Sequence, residues 1–304
     1  MLHRGTGRRA LARAIRPYTA RQAVVDGQIG AAVEAVRDEA LARLAALEAA
    51  PDQVAPPPVP AGAVEAQTVI GPLWLAGEDQ MITPLIQQYG YWESDLCAYF
   101  EAALRPGDTF VDIGANIGYF SIVASRCVGP EGRVYAVEPG ERSRRLLQAN
   151  LWRHGCRNVT VLPVAGYTET GHVQFETNPD GGSGDWVNPF DIKPHATLVP
   201  SLALDEVIPG PVHALKSDAQ GADHLVLKGM AAALAASPDP RMVVEFLPTL
   251  PNLYGDSQAD VLALYRQMGF GLFFLTPTGE PYPVGEDEVM GTGADVLNLC
   301  LQRV

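Results

Sequence analysis

The stretch TFVDIGANIGYF, residues 109–120, constrains this chain more than any other segment. An apolar run ends at Asp112, the chain passes Gly114, Asn116 and Gly118, and an apolar pattern with helical spacing follows. Glycine permits a sharp turn at 114 and a close approach of another group at 118, because it has no Cβ atom. The pattern predicts a strand, a tight turn, and a helix whose free N–H groups face a ligand. A tight turn with nothing bound is the simpler alternative for this stretch taken alone.

Apolar runs alternate with helical patterns along the rest of the chain. The predicted strands are 109–113, 133–137, 159–164, 172–177, 212–217, 241–247, 270–275 and 295–301, and the predicted helices are 117–128, 141–154, 222–236 and 257–268. Such alternation is typical of βαβ units and of a doubly wound, mostly parallel α/β sheet. The last two strands follow one another without room for a helix, so we expect them to pair antiparallel at an edge.

Net charge and cysteine usage exclude several classes of protein. The net charge is −13, although the first 21 residues contain six arginines and no acid, so the remaining body repels phosphate backbones and a nucleic-acid substrate is not expected. The four cysteines lie far apart without a C-x-x-C pair, which favours a reducing cytoplasm over a zinc site or a disulfide framework. No stretch reaches the roughly 18 uncharged apolar residues of a membrane-spanning helix. No cluster has metal-ligand spacing, so no metal is expected.

The N-terminal region is predicted to lie outside the main domain. Residues 1–50 contain a basic arm followed by an amphipathic helical pattern over 28–50. The arm suits peripheral contact with an anionic membrane or an acidic partner, or is a loosely ordered extension. The helix suits packing on a second copy of the chain or on its own domain. Residues 51–63, with five prolines between Pro51 and Pro60, predict a linker, and 64–304 the main domain.

A second landmark, VYAVEP, places Glu138 at the end of the next predicted strand. A carboxylate there can accept hydrogen bonds from both ribose hydroxyls of an adenosine, each worth about 1.5–3 kcal/mol because the acceptor is charged. A solvated glutamate before a helix-capping proline is the alternative for this residue taken singly.

The turn chemistry separates two nucleoside cofactors. A nicotinamide enzyme would have G-x-G-x-x-G, whereas this chain has D-x-G-x-N-x-G, with Asn116 where a close-approach glycine would stand. Asp112 would suit a cationic sulfonium amino acid, directly or through the turn's hydrogen bonds, and would repel a diphosphate. The pattern therefore favours S-adenosylmethionine, with a nicotinamide oxidoreductase as a distant alternative.

These motifs, in this order, resemble the FkbM family of S-adenosylmethionine-dependent methyltransferases. The resemblance covers about residues 85–301 and rests on YGYWESDL, FVDIGANIGYFS, VYAVEPGERSRRLLQANL, NVTVLPVAGYTETGHVQF, ALKSDAQGADHLVLKGM and MVVEF. It implies a Rossmann-like, class I methyltransferase fold with a seven-stranded sheet and an antiparallel edge strand. By position it implies cofactor-binding roles for Glu93, Asp112, Gly114, Asn116, Gly118, Glu138, Ala165 and Asp218.

Two residues depart from the family's pattern. Ser217 replaces the usual apolar residue before Asp218, and Gln220 stands where the family often has Glu. Because a glutamine cannot act as a base, a mechanism that needs a carboxylate at position 220 is excluded in this chain.

Three residues are candidates for acid–base chemistry. Methyl transfer mainly requires alignment of the acceptor, which can contribute about 7–11 kcal/mol, and an alcohol acceptor also needs a general base. Asp218, at the end of a predicted strand, is the first candidate, unless it only holds the cofactor ammonium or a loop amide. His224 is a candidate base or orienting group, with a lone surface histidine as its alternative. Glu245 is a third candidate, unless a backbone group or a lysine pairs with it.

The irregular segment NPDGGSGDWVNPFDIKPHA, residues 178–196, is typical of a lid. Trp186 and Phe190 would give it apolar surface to close over an acceptor, unless they only anchor the segment to the core.

The function predicted is O-methylation of a hydroxyl on a small molecule, such as a sugar or a natural-product intermediate. N-methylation of a small molecule is the nearest alternative. A cofactor-binding scaffold without turnover, acting through its N-terminal helix, is an alternative of a different class.

Overall fold

The computed structural model describes residues 56–176, 185–188, 197–248 and 254–304, together with Ala31, Ala35 and Asp38. Those last three residues are helical and exposed. The predicted basic arm, the rest of the predicted N-terminal helix and the first half of the linker lie outside the described residues. The division of the chain at 51–63 therefore stays a prediction.

From residue 56 onward, the described residues form fourteen strands, eight α-helices and one 3₁₀ helix. The strands are β1 (Ala63–Thr68), β2 (Gly71–Ala76), β3 (Thr109–Ile113), β4 (Arg133–Val137), β5 (Val159–Leu162), β6 (Ala165–Gly166), β7 (Gly171–Glu176), β8 (Trp186–Asn188), β9 (Thr197–Leu202), β10 (Ala214–Ser217), β11 (Arg241–Phe246), β12 (Phe270–Leu275), β13 (Pro281–Pro283) and β14 (Leu297–Arg303). The helices are α1 (Ile82–Tyr89), α2 (Ser94–Ala103), α3 (Tyr119–Val128), α4 (Glu141–Arg153), α5 (Asp223–Lys228), α6 (Ala231–Ala235), α7 (Gln258–Gln267) and α8 (Glu286–Gly291), with the 3₁₀ helix at Leu204–Glu206.

The large sheet has the spatial order β13-β12-β14-β11-β10-β3-β4-β5 within the described part of the chain. Strands β5, β4, β3, β10 and β11 are parallel, and β14 pairs antiparallel with both β11 and β12. The predicted doubly wound, mostly parallel sheet with an antiparallel edge is confirmed, and the short β13 adds an eighth strand at that edge. The expectation that no helix fits between the last two strands is wrong, because β13 and α8 lie between β12 and β14.

Both faces of the large sheet are buried, as its continuous apolar strands require. Val111 and Ile113 belong to a core shared with residues of α5, α6 and α7, whereas Phe110 belongs to a second core shared with residues of α1 to α4. The result is three layers, helix on sheet on helix, in which the carboxyl ends of the parallel strands share one edge.

A smaller four-stranded sheet, in the order β6-β9-β7-β8, follows β5 along the chain. Ala165, Phe175, Val187 and Val199 form a small apolar cluster within it. The predicted strand 159–164 ends earlier than expected, at Leu162, because the chain then enters the second sheet. Part of the predicted irregular segment, Trp186–Asn188, forms a strand that pairs with β7. This second sheet supplies a wall of the cavity described below.

The predicted helix 222–236 is divided into α5 and α6 at Gly229. A Cβ atom at Gly229 would overlap the backbone carbonyl oxygen of Tyr167, so the chain passes that carbonyl at the end of α5 where only glycine fits.

Candidate active site

A cavity of about 410 Å³ lies at the carboxyl ends of the central parallel strands. This is the edge at which doubly wound sheets bind ligands. Residues from the large sheet, the second sheet and the segment before α2 line it together: Met81, Ile82, Trp92, Glu93, Ile113, Gly114, Asn116, Val137, Glu138, Pro139, Ser143, Ala165, Gly166, Phe175, Asp185, Val187, Asp218, Ala219, Gln220, Glu245 and Val296. Six of the eight predicted cofactor-binding residues are among them, and Asp112 and Gly118 are not.

The turn after β3 is held against the two neighbouring strand ends. The N–H groups of Gly114 and Ala115 donate to the carbonyl oxygen of Val137, at 3.0 and 3.1 Å. Gly114 has a φ of 69°, and a Cβ atom there would overlap the backbone carbonyl oxygen of Asp218. The glycine therefore lets the turn lie directly on the loop that follows β10.

Gly118 serves packing against a helix. Its φ is 90°, and a Cβ atom there would lie 2.5 Å from Cδ1 of Leu147, a fully buried residue of α4. The close approach that the sequence predicts at Gly118 is therefore made by α4, whereas the cavity is lined by Gly114 and Asn116 of the same turn.

Asp112 lies beneath the turn, in the interior, with 1% of its surface exposed. Its Oδ2 accepts a hydrogen bond of 2.5 Å from the Ser121 hydroxyl of α3, and its Oδ1 has no hydrogen-bond partner among the described residues. Burial raises the pKa of Asp112 to about 6, against the opposing effects of Lys216 and Ser121. Asp112 thus anchors α3 under the cavity, so any influence on a ligand passes through the turn.

Glu138 closes the end of β4 and faces the cavity with 6% of its surface exposed. Its Oε2 accepts the Asn116 N–H at 2.8 Å, and its Oε1 accepts the Gly140 N–H at 2.7 Å. Asn116 has a φ of 49°, so this bond also fixes a left-handed residue of the turn. Burial raises the pKa of Glu138 to about 7, although both backbone bonds oppose the rise.

A polar cluster joins the ends of β10 and β11. Lys216, which is 4% exposed, donates to Oδ2 of Asp218 at 3.2 Å. The side-chain amide of Gln220 donates to Oδ1 of Asp218 at 2.8 Å and to Oε2 of Glu245 at 3.1 Å. Both oxygens of Asp218 are thereby oriented, and its side chain keeps 36% exposure at the cavity.

The charged groups of this cluster shift one another's pKa values. Burial, followed by the negative charges of Asp218 and Asp223, raises the pKa of Glu245 to about 9. Burial alone would lower the pKa of Lys216, but the carboxylates of Asp218, Glu93 and Asp112 raise it above its ordinary value. At neutral pH the structure therefore pairs a charged Lys216 with neighbouring acids and keeps Glu245 protonated.

Glu93 reaches the cavity from the segment before α2. It has a φ of 40°, and its Oε1 accepts a hydrogen bond of 2.8 Å from the Asn298 amide of β14. Its Oε2 is buried without a hydrogen-bond partner among the described residues, and burial raises the pKa of its carboxyl group. Asn298 is paired in register with Glu245, so the two glutamates approach the same end of the sheet.

His224 does not line the cavity, and the surface position considered for it is wrong. The side chain is 4% exposed, and its Nε2 lies 3.0 Å from Oδ2 of Asp256. Burial lowers the pKa of His224, and the ring also makes an edge-on contact with Tyr254. The histidine thus ties α5 to the segment before α7, and the structure does not bring it together with Asp218 and Glu245.

Several residues of the site were missed in the sequence. Lys216 could have been predicted as a site residue, because a lysine inside the predicted buried strand ALKS needs a negatively charged partner. Asp223 organises the loop after β10, because its Oδ1 accepts from the Ser217 hydroxyl at 2.5 Å and from the Ala219 N–H at 3.1 Å. Residues from the second sheet had no local signal, because only the tertiary arrangement brings that sheet over the cavity.

The residues present fit S-adenosylmethionine. The buried carboxylate of Glu138 can accept from ribose hydroxyls, with Val137 and Ala165 as apolar neighbours in the lining for a base. The backbone of Gly114 is exposed to the cavity. Asp218 lies in the same lining and supplies negative charge for the cationic amino acid portion of the cofactor.

Two further observations concern the described residues alone. Within them, no group of three or more His, Cys, Asp or Glu side chains is arranged to hold a metal ion. None of the helices they form is long and apolar enough to cross a bilayer.

Two curated relatives are similar to part of this chain. A "Protein-L-isoaspartate O-methyltransferase" of Ignicoccus hospitalis is 43% identical over 65 residues, which is 20% of this chain and 29% of that protein. A "Probable cobalt-precorrin-6B C(15)-methyltransferase (decarboxylating)" of Sulfolobus acidocaldarius is 34% identical over 70 residues, 23% of this chain and 36% of that protein. The chain thus spans only about a third of the length of these relatives.

A solved structure and a family model extend the comparison. The crystal structure of a methyltransferase FkbM from Methylobacillus flagellatus has a TM-score of 0.41 and 18% identity, covering 68% of this chain and 50% of that one. The family model described as Methyltransferase FkbM domain matches residues 112–272, more than half of the chain. Since the match covers more than half of the chain and includes the glycine turn and Glu138, the chain belongs to the FkbM family of S-adenosylmethionine-dependent methyltransferases.

Proposed function

We propose that this protein transfers the methyl group of S-adenosylmethionine to a hydroxyl of a small molecule. The observation that carries the proposal is the half-buried Asp218, oriented by Lys216 and Gln220 at the end of β10 and open to the cavity. A volume of about 410 Å³ is within the range of small-molecule sites. The sugar or natural-product acceptor belongs to this proposal.

The cofactor side of the proposed site runs along β3 and β4. S-adenosylmethionine supplies a methyl group that its sulfonium already activates for displacement. Glu138 would hold the ribose, and Ala165 would flank the adenine. The backbone of Gly114 and Asn116, which is exposed to the cavity, would contact the methionine portion. Asp112 and Gly118 would act indirectly, because Asp112 bonds to Ser121 of α3, Gly118 packs on Leu147 of α4, and neither residue lines the cavity.

The acceptor side runs along β10, β11 and β14. Adjacent strands lie about 4.8 Å apart, so Glu245 on β11 is two strands from the turn at the end of β3. Asp218 is the proposed general base, since its side chain opens to the cavity and its two oxygens are oriented by Lys216 and Gln220. Glu245, protonated at neutral pH, would donate a hydrogen bond to the acceptor, and Glu93 would close the same side.

The two curated relatives do not indicate which acceptor this protein methylates. One is named for O-methylation of a protein and the other for C-methylation of a precorrin, so neither name supplies this chain's acceptor. N-methylation therefore stays the nearest alternative, and a scaffold without turnover the more distant one. Family membership removes the nicotinamide alternative.

We also propose a cytoplasmic location and a homo-oligomer formed through the N-terminal helix. The four cysteines are free thiols in the structure, which supports a reducing compartment. The apolar repeat over 28–50 supports the second part. Size measurement by light scattering on the full chain tests it, and a monomer at all concentrations would refute it.

The first experiment is calorimetric titration with S-adenosylmethionine at pH 8. We expect micromolar binding by the wild type and roughly 10- to 100-fold weaker binding by Glu138→Gln, because the amide loses the charged acceptor and opposes one backbone N–H. Glu131→Gln, an exposed glutamate, is the matched control and should bind as the wild type does. Absence of binding in the wild type would sink the proposal.

The second experiment screens acceptors with labelled cofactor, using wild type and Asp218→Asn. An alcohol acceptor should be methylated by the wild type, and the rate should fall by about 10²–10⁴ in Asp218→Asn, as for loss of a general base. Rates are compared at saturating cofactor, because loss of the Asp218 charge should also weaken binding of the cationic amino acid portion. Transfer to amines alone would favour N-methylation, and binding without transfer to any acceptor would favour the scaffold.

A further inference from the structure

Helix α1 presents an apolar stripe to solvent beside the cavity. Met81, Leu85 and Tyr89 follow one another at four-residue spacing, which places their side chains on one face of the helix. They are 60%, 38% and 53% exposed, respectively. Because Met81 also lines the cavity, the stripe has one end at the candidate site.

The surroundings of the stripe are apolar as well. Tyr91 is 43% exposed, and its ring centroid lies 6.0 Å from that of Tyr89. Val296 and Trp92 line the cavity, and Val296 is itself 52% exposed. Residues 81–92 contain no charged side chain, although 19% of the chain is charged. Grouped exposure of large apolar side chains marks a binding surface in a folded protein.

We propose that this surface, the α1 face formed by Met81, Leu85, Tyr89 and Tyr91, binds an alkyl or acyl chain of the acceptor. The proposal rests on the proposed function, in which the acceptor hydroxyl lies in the cavity beside Asp218. The acceptor class is then a hydroxylated amphiphile, with a polar head in the cavity and a single chain along α1.

The shape and charge of the α1 face favour this occupant. Eight residues of helix extend about 12 Å, and a stripe one side chain wide matches an extended chain better than a broad ring system. The face is continuous with the cavity through Met81, so one molecule can occupy both. The segment has no lysine or arginine and the chain carries a net charge of −13, which disfavours docking on an anionic membrane.

The test uses butyl, hexyl and octyl β-D-glucosides below their micelle concentrations, titrated into full-length protein saturated with S-adenosylhomocysteine. A fully buried methylene changes affinity about fourfold, so a half-buried chain should gain roughly twofold per methylene and about 16-fold from butyl to octyl. The double variant Leu85→Gln, Tyr89→Gln should lose this dependence on chain length. Tyr282→Gln, which changes a 42% exposed tyrosine on β13, is the matched control and should keep it.

Equal affinity along the series, or a dependence on chain length that survives the double variant, would overturn the proposal. Light scattering on the same samples covers a second occupant, since a dimer that the double variant converts to monomer would assign the face to another copy of the chain. Cosedimentation with neutral phosphatidylcholine vesicles, lost in the double variant, would assign it to a membrane instead. Binding of S-adenosylhomocysteine is measured first, so failure of the cofactor site is seen separately from failure of the α1 face.

Discussion

Buried carboxylates dominate the site at the scale of single residues. Burial raises the pKa of Asp112 to about 6, of Glu138 to about 7 and of Glu245 to about 9. In the unfolded chain these groups ionise at about pH 4–4.5. The folded protein without ligand therefore holds protons that the unfolded chain has released, and its stability falls as pH rises from about 4 through these folded pKa values.

Glu245 should account for the upper part of this pH dependence. Its raised pKa contributes stability that is fully present below about pH 4.5 and is lost as pH approaches 9. Glu245→Gln keeps an oxygen for the Gln220 amide and cannot ionise. The free energy of unfolding should fall by about 2 kcal/mol less between pH 7 and 9 in this variant than in the wild type.

Urea unfolding at pH 7 and pH 9 measures the difference. Glu131→Gln, exposed and remote from the cluster, should lose as much stability over this range as the wild type. Parallel curves for wild type and Glu245→Gln would show that Glu245 is ionised in the folded protein at pH 7.

The turn between β3 and α3 packs against two different elements, the loop after β10 and the helix α4. Gly114 lets the turn lie on the loop after β10, and Gly118 lets the start of α3 lie on Leu147 of α4. Both glycines have positive φ, and Asn116 between them is held at positive φ by Glu138. Two glycines that look equivalent in sequence therefore act at different interfaces, one at the cavity and one in the interior.

Gly118→Ala should separate backbone strain from packing. The substitution should lower the free energy of unfolding by about 2–4 kcal/mol, because a left-handed alanine costs about 1–2 kcal/mol and its Cβ atom would lie 2.5 Å from Cδ1 of the fully buried Leu147. Gly107→Ala is the matched control, since Gly107 has a φ of 91° and nothing within 4 Å of a Cβ atom. Its cost should be about 1–2 kcal/mol. Equal losses in chemical denaturation would mean that the contact with Leu147 contributes nothing.

Asn150 joins three parts of the molecule. Its side-chain oxygen accepts the Trp74 N–H at 2.7 Å, and its amide donates to the carbonyl oxygens of Trp74 and Ile117, both at 2.9 Å. The residue is fully buried on α4, Trp74 lies in the β1–β2 hairpin, and Ile117 lies in the turn beneath the cavity. The hairpin is therefore attached to the main sheet through the helix that also supports the site.

Asn150→Ala should lower the free energy of unfolding by about 2–4 kcal/mol, because it leaves three backbone groups without partners. Amide hydrogen exchange should increase in β2 and at the turn as well as in α4. Gln148→Ala on the same helix is the control, since Gln148 is only half-buried and takes no part in the bonds that join the three parts. Faster exchange confined to α4 would contradict the bridging role.

Much of the main sheet was predictable from the sequence for a physical reason. Strands buried on both faces are continuous apolar runs, and β3, β4 and β12 begin and end where those runs do. The glycine turn and the carboxylate at the end of β4 were also readable, because left-handed backbone and a strand-end acid depend on local residue types. The cofactor roles of the eight named residues stay predictions, and the S-adenosylmethionine family is confirmed.

The sequence by itself thus determined the α/β class, the doubly wound sheet, the glycine turn and the cofactor, because these depend on periodicity and on residue types a few positions apart. Only the tertiary structure decided that Asp112 lies behind the turn, that Gly118 packs on α4, that His224 pairs with Asp256, and that Lys216 stands beside Asp218. Those outcomes depend on which strands and helices become neighbours. Long-range packing sets such neighbours, and residue spacing within one segment does not encode them.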